Sequence, residues 1–157
     1  MQPSTNSINP EHKLTYEGLR ISDTELYDAM GYGSTHPDDN VLNELQRLTR
    51  VIACRAVPRF CYVIVDGTLS LTDNTLTIGT TTLHVGAIIA RQLRGSRRFA
   101  LFTATAGMEF EHLQRELETE GDMVKCYLTD CVGSVMAEKA ADRMEDALQS
   151  EIDALGW

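Results

Sequence analysis

The order of apolar and polar positions along the chain predicts two helices, then a group of strands, then further helices. Ser22 and Glu25 form a capping-box sequence that opens a short helix, which ends near Gly31. A second helix begins at Pro37 and ends before Pro58, since the residue before a proline disfavours helical geometry. Its apolar stripe follows helical spacing and consists of Val41, Leu45, Leu48 and Ile52.

The middle of the chain has the composition of strands. Residues 60–65 are β-branched or aromatic, and the Asp66-Gly67 pair that follows is a hairpin signal leading into residues 69–71. Asp73-Asn74 turns the chain again, into residues 76–78. We therefore expect these three segments to form a small antiparallel meander.

Helical spacing returns over residues 82–94, and Gly95 ends that helix. Residues 99–104 form a continuous apolar run, which is typical of a strand buried on both faces. After Gly107 we expect a surface helix that ends at Gly121. Its apolar positions are Phe110, Leu113 and Leu117.

Residues 122–155 contain no proline and predict one long helix, apolar on all faces in its first half and amphipathic in its second. Gly133 either bends this helix or allows a neighbour to pack closely, and two shorter helices are the alternative. The apolar half is covered internally or by a second copy of the chain, so a homodimer is one expectation.

Asp130 lies within the apolar half, where a carboxylate must be paired, hydrogen-bonded or neutral. With Ser134 and Glu138 it forms a ladder at four-residue intervals that would suit a ligand with hydroxyl or amino groups. Alternatively, Asp130 accepts backbone hydrogen bonds and Glu138 is solvated. Thr105 and Gly107 lie where a strand meets a helix, and this junction either presents backbone N–H groups to a ligand or is a tight connection.

The length of 157 residues suits one domain, which we place at residues 22–157 after a flexible N-terminal segment, residues 1–21. A composition of 43% apolar and 24% charged residues excludes disordered and collagen-like classes. No apolar run is long enough for a membrane span. Four cysteines without an export signal predict reduced thiols and a cytoplasmic protein.

The net charge of −9 lies entirely in the last 57 residues, which repels nucleic acid. One basic cluster would bind a phosphate or an acidic protein, or else offset a helix dipole; it consists of Arg91, Arg94, Arg97 and Arg98. No sequence motif indicates a metal site or a hydrolase triad, so we expect neither metal ligands nor catalytic residues.

Three segments together resemble the activation domain of vitamin B12 (cobalamin)-dependent methionine synthase: residues 25–32, 102–109 and 130–142. The resemblance implies an α+β fold in which a curved, mostly antiparallel sheet packs with long helices. In the synthase this domain binds S-adenosylmethionine and presents its methyl group to cobalamin carried by another domain. The cobalt performs that chemistry, and the activation domain supplies binding and orientation.

The resemblance also implies a binding site. Glu138 matches the helix carboxylate that lies near the cofactor, Asp130 and Ser134 line the same groove, and Thr105 and Gly107 form its rim. The family's arginine and Pro-Gly-Tyr segment, which follow the long helix, have no counterpart in this sequence. Either S-adenosylmethionine binding is lost, or a partner chain completes the pocket.

Two main functional hypotheses follow. The first is an accessory protein, not catalytic alone, that binds S-adenosylmethionine for reductive methylation of cobalamin held by a cobalamin-binding domain or methionine synthase module. The second is a non-catalytic interaction module whose acidic surface docks a basic partner. A different small-molecule binder that uses the same groove is a third.

Overall fold

The computed structural model describes residues 10–156. Its chain divides into two compact units, one formed by Tyr62–Phe102 and the other by Glu11–Cys61 together with residues 103–156. In chain order the elements are β1 (His12–Lys13), α1 (Tyr16–Leu19), α2 (Asp23–Ala29), α3 (Asp39–Arg55), β2 (Arg59–Asp66), β3 (Thr68–Ser70), β4 (Thr75–Ile78), β5 (Thr81–His84), α4 (Gly86–Gln92), β6 (Arg98–Thr105), α5 (Met108–Glu120) and α6 (Met123–Leu155).

The described strands form two three-stranded sheets, which confirms the expected α+β class. The first has the order β1-β2-β6, with β1 antiparallel to β2 and His12 opposite Phe60. The second has the order β3-β4-β5 and is antiparallel throughout, so Leu76 of β4 lies between Leu69 and Leu83.

The meander exists, but one strand later than expected. Residues 60–65 belong to β2 in the first sheet, and Asp66-Gly67 does not join paired strands. The backbone N–H of Gly67 instead donates to the Arg97 carbonyl, directly before β6. The position of β2 beside β6 is a long-range pairing, which overrides the local turn signal.

The helix expected over residues 82–94 is shorter, because β5 takes its first residues and α4 begins only at Gly86. Thr82 pairs with Thr77 of β4, and their hydroxyls lie 3.2 Å apart. Adjacent β-branched threonines favour a strand, so the pairing of β5 with β4 outweighs the helical spacing of the apolar residues.

The strand expected over residues 99–104 is present as β6, but it is not buried on both faces. Phe99 is buried, whereas Leu101 and Phe102 are 40% and 51% exposed. Leu101 and Phe102 are consecutive in β6 and therefore point to opposite faces of the sheet, so neither face of this strand is covered along its whole length.

The core of the unit that contains α6 forms where α6 meets α2, α3 and α5. The stripe of α3 is buried as expected at Leu45, Leu48 and Ile52. Gly133 lies against the ring of Phe110 on α5, and a Cβ there would be 2.4 Å from two ring carbons. Close packing is therefore the role of this glycine, and α6 continues through it as one helix of 33 residues.

The expected flexible N-terminal segment does not extend through residues 12–19. These residues form β1 and α1, Leu19 is fully buried, and the Leu14 N–H donates to the Pro58 carbonyl at 2.7 Å. The apolar side chains of this segment reach the core, which the polar composition of its first residues obscured. Residues 1–9 lie outside the described residues, and a single domain over residues 22–157 stays a prediction.

Candidate functional site

A groove of about 330 Å³ lies between α2 and α6. Three of its lining residues come from α2 and the others from successive turns of α6, and most of them are polar or charged. They are Glu25, Asp28, Ala29, Ser134, Val135, Glu138, Lys139 and Asp142.

The first turn of α2 is fixed by its cap. The Ser22 N–H donates to Glu25 Oε2 at 2.9 Å, and the Glu25 N–H donates to Ser22 Oγ at 3.3 Å, so the predicted capping box is confirmed. These bonds satisfy backbone donors that a helix start leaves unpaired. They also hold the Glu25 carboxylate at the wall of the groove.

The last turn of α2 is bound directly to α6. The Tyr127 hydroxyl donates to the Met30 carbonyl at 2.9 Å, and the Cys131 thiol donates to the Ala29 carbonyl at 3.5 Å. Burial raises the pKa of the Cys131 thiol, which keeps its proton available for this bond. The C-terminal end of α2 is thus bound to α6, which forms the other wall of the groove.

Lys139 connects the two walls. Its Nζ lies 2.5 Å from Glu25 Oε1 and 3.4 Å from Asp142 Oδ2. The Lys139 ammonium and the bonds from Ser22 lower the pKa of Glu25 to about 2, and the same ion pair raises the pKa of Lys139. Both groups therefore keep their charges across the whole physiological range.

The remaining charge in the groove is negative. Four carboxylates face one ammonium, so the lining has a formal charge of −3. The carboxylates of Asp28 and Glu138 have no hydrogen bond or ion pair with any other residue in the described range. Two unpaired carboxylates in one groove favour a cationic ligand over an anionic one.

The fold is similar to a known one. A solved structure titled "Crystal Structure of the MetH Reactivation Domain bound to AdoHcy" matches with a TM-score of 0.64 and 13% identity, over 89% of this chain and 54% of that chain. The chain thus spans about half the length of the solved chain that it matches. No family model matches the sequence, and no curated protein does. At this identity the likeness concerns the fold, and it confirms the architecture implied by the resemblance.

Two of the five candidate site residues line the groove. Ser134 and Glu138 lie on its α6 wall, one turn apart, and both are exposed. The exposure of Glu138 is compatible with both expectations for it, a solvated carboxylate and a ligand-binding one. A role for either residue in ligand binding stays a prediction.

Asp130 does not lie in the core, and this expectation was wrong. Its side chain is exposed, and Gln114 Nε2 donates to Asp130 Oδ1 at 3.3 Å on the α5 side. Thr129, the preceding residue, is fully buried instead. Because the first half of α6 is apolar on all faces, the sequence pattern did not determine which arc faces inward.

Thr105 and Gly107 form a tight connection and do not line the groove. The Gly107 N–H donates to Thr105 Oγ1 at 3.1 Å. Gly107 has φ of +98°, and a Cβ there would lie 2.4 Å from the Val57 carbonyl oxygen. The close approach of two backbones explains the glycine, and ligand contact by this pair stays a prediction.

Sequence reasoning missed six groove residues, of which four are charged: Glu25, Asp28, Lys139 and Asp142. Glu25 and Asp28 on α2 are three residues apart, and so are Lys139 and Asp142 on α6, which places each pair on one helix face. The sequence therefore indicated a charged face on each helix. The distance in sequence between α2 and α6 hid their pairing. Within residues 10–156, no three His, Cys, Asp or Glu side chains cluster as metal ligands, and no helix is long and apolar enough to cross a membrane.

Proposed function

We propose that this chain binds S-adenosylmethionine in the groove between α2 and α6 and acts as a reactivation-domain-like accessory protein. The fold supports this, because the solved structure it resembles is that of the MetH reactivation domain bound to AdoHcy. The position of Glu138 in the groove supports it further, because the resemblance assigns this residue to the cofactor site.

The observation that carries the proposal is the charge of the groove. S-adenosylmethionine carries a sulfonium cation and an ammonium, whereas AdoHcy has a neutral thioether in place of the sulfonium. A charge pair about 4 Å apart in water-like surroundings contributes about 1 kcal/mol. The unpaired carboxylates should therefore favour S-adenosylmethionine over AdoHcy by roughly fivefold.

In this proposal the chain itself is not a catalyst. S-adenosylmethionine supplies the methyl group, and a partner, a cobalamin-binding domain or methionine synthase module, carries the cobalamin that accepts it. Residues of α2 and α6 bind and orient the donor. Because Ser134 and Glu138 are exposed, a partner surface has access to a ligand in the groove. The reduced thiols favour a cytoplasmic location for this activity.

Isothermal titration with S-adenosylmethionine, alone and beside a cobalamin-binding module, tests the proposal. We expect Glu138→Gln to weaken binding several-fold and to remove part of the preference over AdoHcy. Glu145→Gln is the matched control, since Glu145 lies on α6 outside the groove lining and is exposed. Absence of S-adenosylmethionine binding in both settings contradicts the proposal.

A second candidate is a non-catalytic interaction module that uses the same fold. The acidic character of residues 101–157, with thirteen carboxylates and four basic side chains, favours it because such a surface attracts a basic partner. If a cobalamin-binding module binds equally well to the wild type and to Glu138→Gln, and S-adenosylmethionine does not bind, this reading replaces the first.

A further inference from the structure

Two large apolar side chains on the surface are almost fully exposed to solvent. Met123, at the start of α6, is 84% exposed, and Ile88, on α4, is 75% exposed. Each has an exposed apolar neighbour in sequence, Val124 and Ile89 respectively. Exposed apolar side chains that occur in groups, with charged residues around them, mark interaction surfaces.

The first group lies in a basic environment. We call it the basic patch: Ile88, Ile89, Arg91 and Arg94. Ala90 is fully buried, so α4 packs by that side and turns Ile88 and Ile89 outward. The guanidinium groups of Arg91 and Arg94 have no hydrogen bond or ion pair with any described residue. Arg91 lies in the last turn of α4 and Arg94 follows its C-cap Leu93, so both charges are favoured by the helix dipole, but neither guanidinium is paired with a carboxylate.

The second group lies in an acidic environment. We call it the acidic corner: Glu118, Glu120, Asp122, Met123 and Val124. It spans the end of α5 and the start of α6. Lys125 is its only basic neighbour in sequence between residues 118 and 125, and it lies 3.3 Å from Glu120 and 3.6 Å from Asp122. Arg47 of α3 also faces these carboxylates but is paired with Glu44 at 2.7 Å, so that pair adds no net charge and the corner, with three carboxylates against one ammonium, keeps a local charge of −2.

We propose that the basic patch docks on the acidic corner of a second copy of this chain. Each surface has two exposed apolar side chains, and the charges around them are complementary, with free guanidinium groups on one surface and excess carboxylates on the other. Arginine suits this role because its guanidinium binds a carboxylate through two parallel hydrogen bonds.

The charge distribution favours a second copy over an anionic membrane. The whole chain carries −9, so an extended anionic surface repels most of it. Between two copies in 50 mM salt, only charges within a Debye length of roughly 14 Å interact strongly, and at this contact they have opposite signs. Because both patches are small, the association should be weak and sensitive to salt.

Sedimentation velocity on the full chain at 50 mM and 500 mM NaCl tests the proposal. At low salt the weight-average mass should rise with protein concentration, and at high salt it should return toward the monomer. Ile88→Ser and Met123→Ser should each lower the association constant by roughly tenfold. Met108→Ser is the control, since Met108 is also exposed, at 59%, but belongs to neither patch.

Charge reversal gives a second, stricter test. Arg91→Glu with Arg94→Glu should abolish association, and adding Glu118→Arg with Glu120→Arg in the same chain should restore it. Circular dichroism checks that each variant is folded. A monomer at every concentration at 50 mM NaCl overturns the proposal, and so does association that Met108→Ser weakens as much as Met123→Ser or that the reversed charges do not restore.

Discussion

Gly133 tests how tightly α5 and α6 pack. In the interior of an exposed helix, Gly→Ala stabilises by up to about 1 kcal/mol, because alanine loses less backbone entropy on folding. At Gly133 the new Cβ would lie 2.4 Å from Cε1 and Cζ of Phe110, a buried ring. Overpacking of this kind costs about 1–3 kcal/mol. The steric cost exceeds the gain, so we expect Gly133→Ala to destabilise the protein by about 1 kcal/mol.

The assay is urea unfolding followed by circular dichroism. We expect a lower midpoint with an unchanged slope, and a melting temperature lower by roughly 2–4 °C. In a Phe110→Leu background the ring is gone, so the same Gly133→Ala change should be neutral or stabilising. A midpoint that rises in the wild-type background would refute the reasoning, since it would show that α5 moves away at little cost.

Three further predictions concern single groups. The pKa of Glu25 is about 2 in the folded protein, below its ordinary value of 4.5, so its contribution to stability is present above pH 4.5 and is lost as the pH falls toward 2. In urea midpoints measured against pH, Lys139→Met should make this loss of stability smaller. Gly107→Ala should destabilise by about 1–3 kcal/mol in the same assay, because it strains a positive φ and meets the Val57 carbonyl. Asp130→Asn should change the unfolding free energy by less than about 0.5 kcal/mol, because Asp130 is exposed; a larger loss would restore the buried-carboxylate interpretation.

The helices that sequence reasoning placed well are those with both a cap and a stripe. Asp38 caps α3 by accepting from the N–H groups of Asn40 and Val41, and the stripe that follows is buried. Gly121, in a left-handed conformation, ends α5 where expected. Caps and stripes are local, so a single sequence carries them completely.

The strands and the inward face of α6 depend on residues distant in sequence. Whether β2 pairs with β3 or with β1 is decided by which surfaces are available elsewhere in the chain. Which face of α6 turns inward is decided in the same way, because the first half of this helix has apolar residues on nearly every face. Intrinsic propensity and local turns carry no information about such choices.

The groove and the core are set by the same helix, and this explains which candidate residues lie in the groove. Val135 and Met136 are buried, and Ser134 and Glu138 flank them on the exposed side of α6. A rotation of α6 large enough to bury Asp130 would also expose part of Val135 and Met136. Each apolar side chain so exposed would cost about 1.5–3 kcal/mol of folding free energy. Ser134 and Glu138 border the buried run on the side of α2 and line the groove, whereas Asp130 borders it on the side of α5. For such a helix, the neighbouring element beside each exposed polar side chain decides which of them share a groove: α2 for Ser134 and Glu138, and α5 for Asp130.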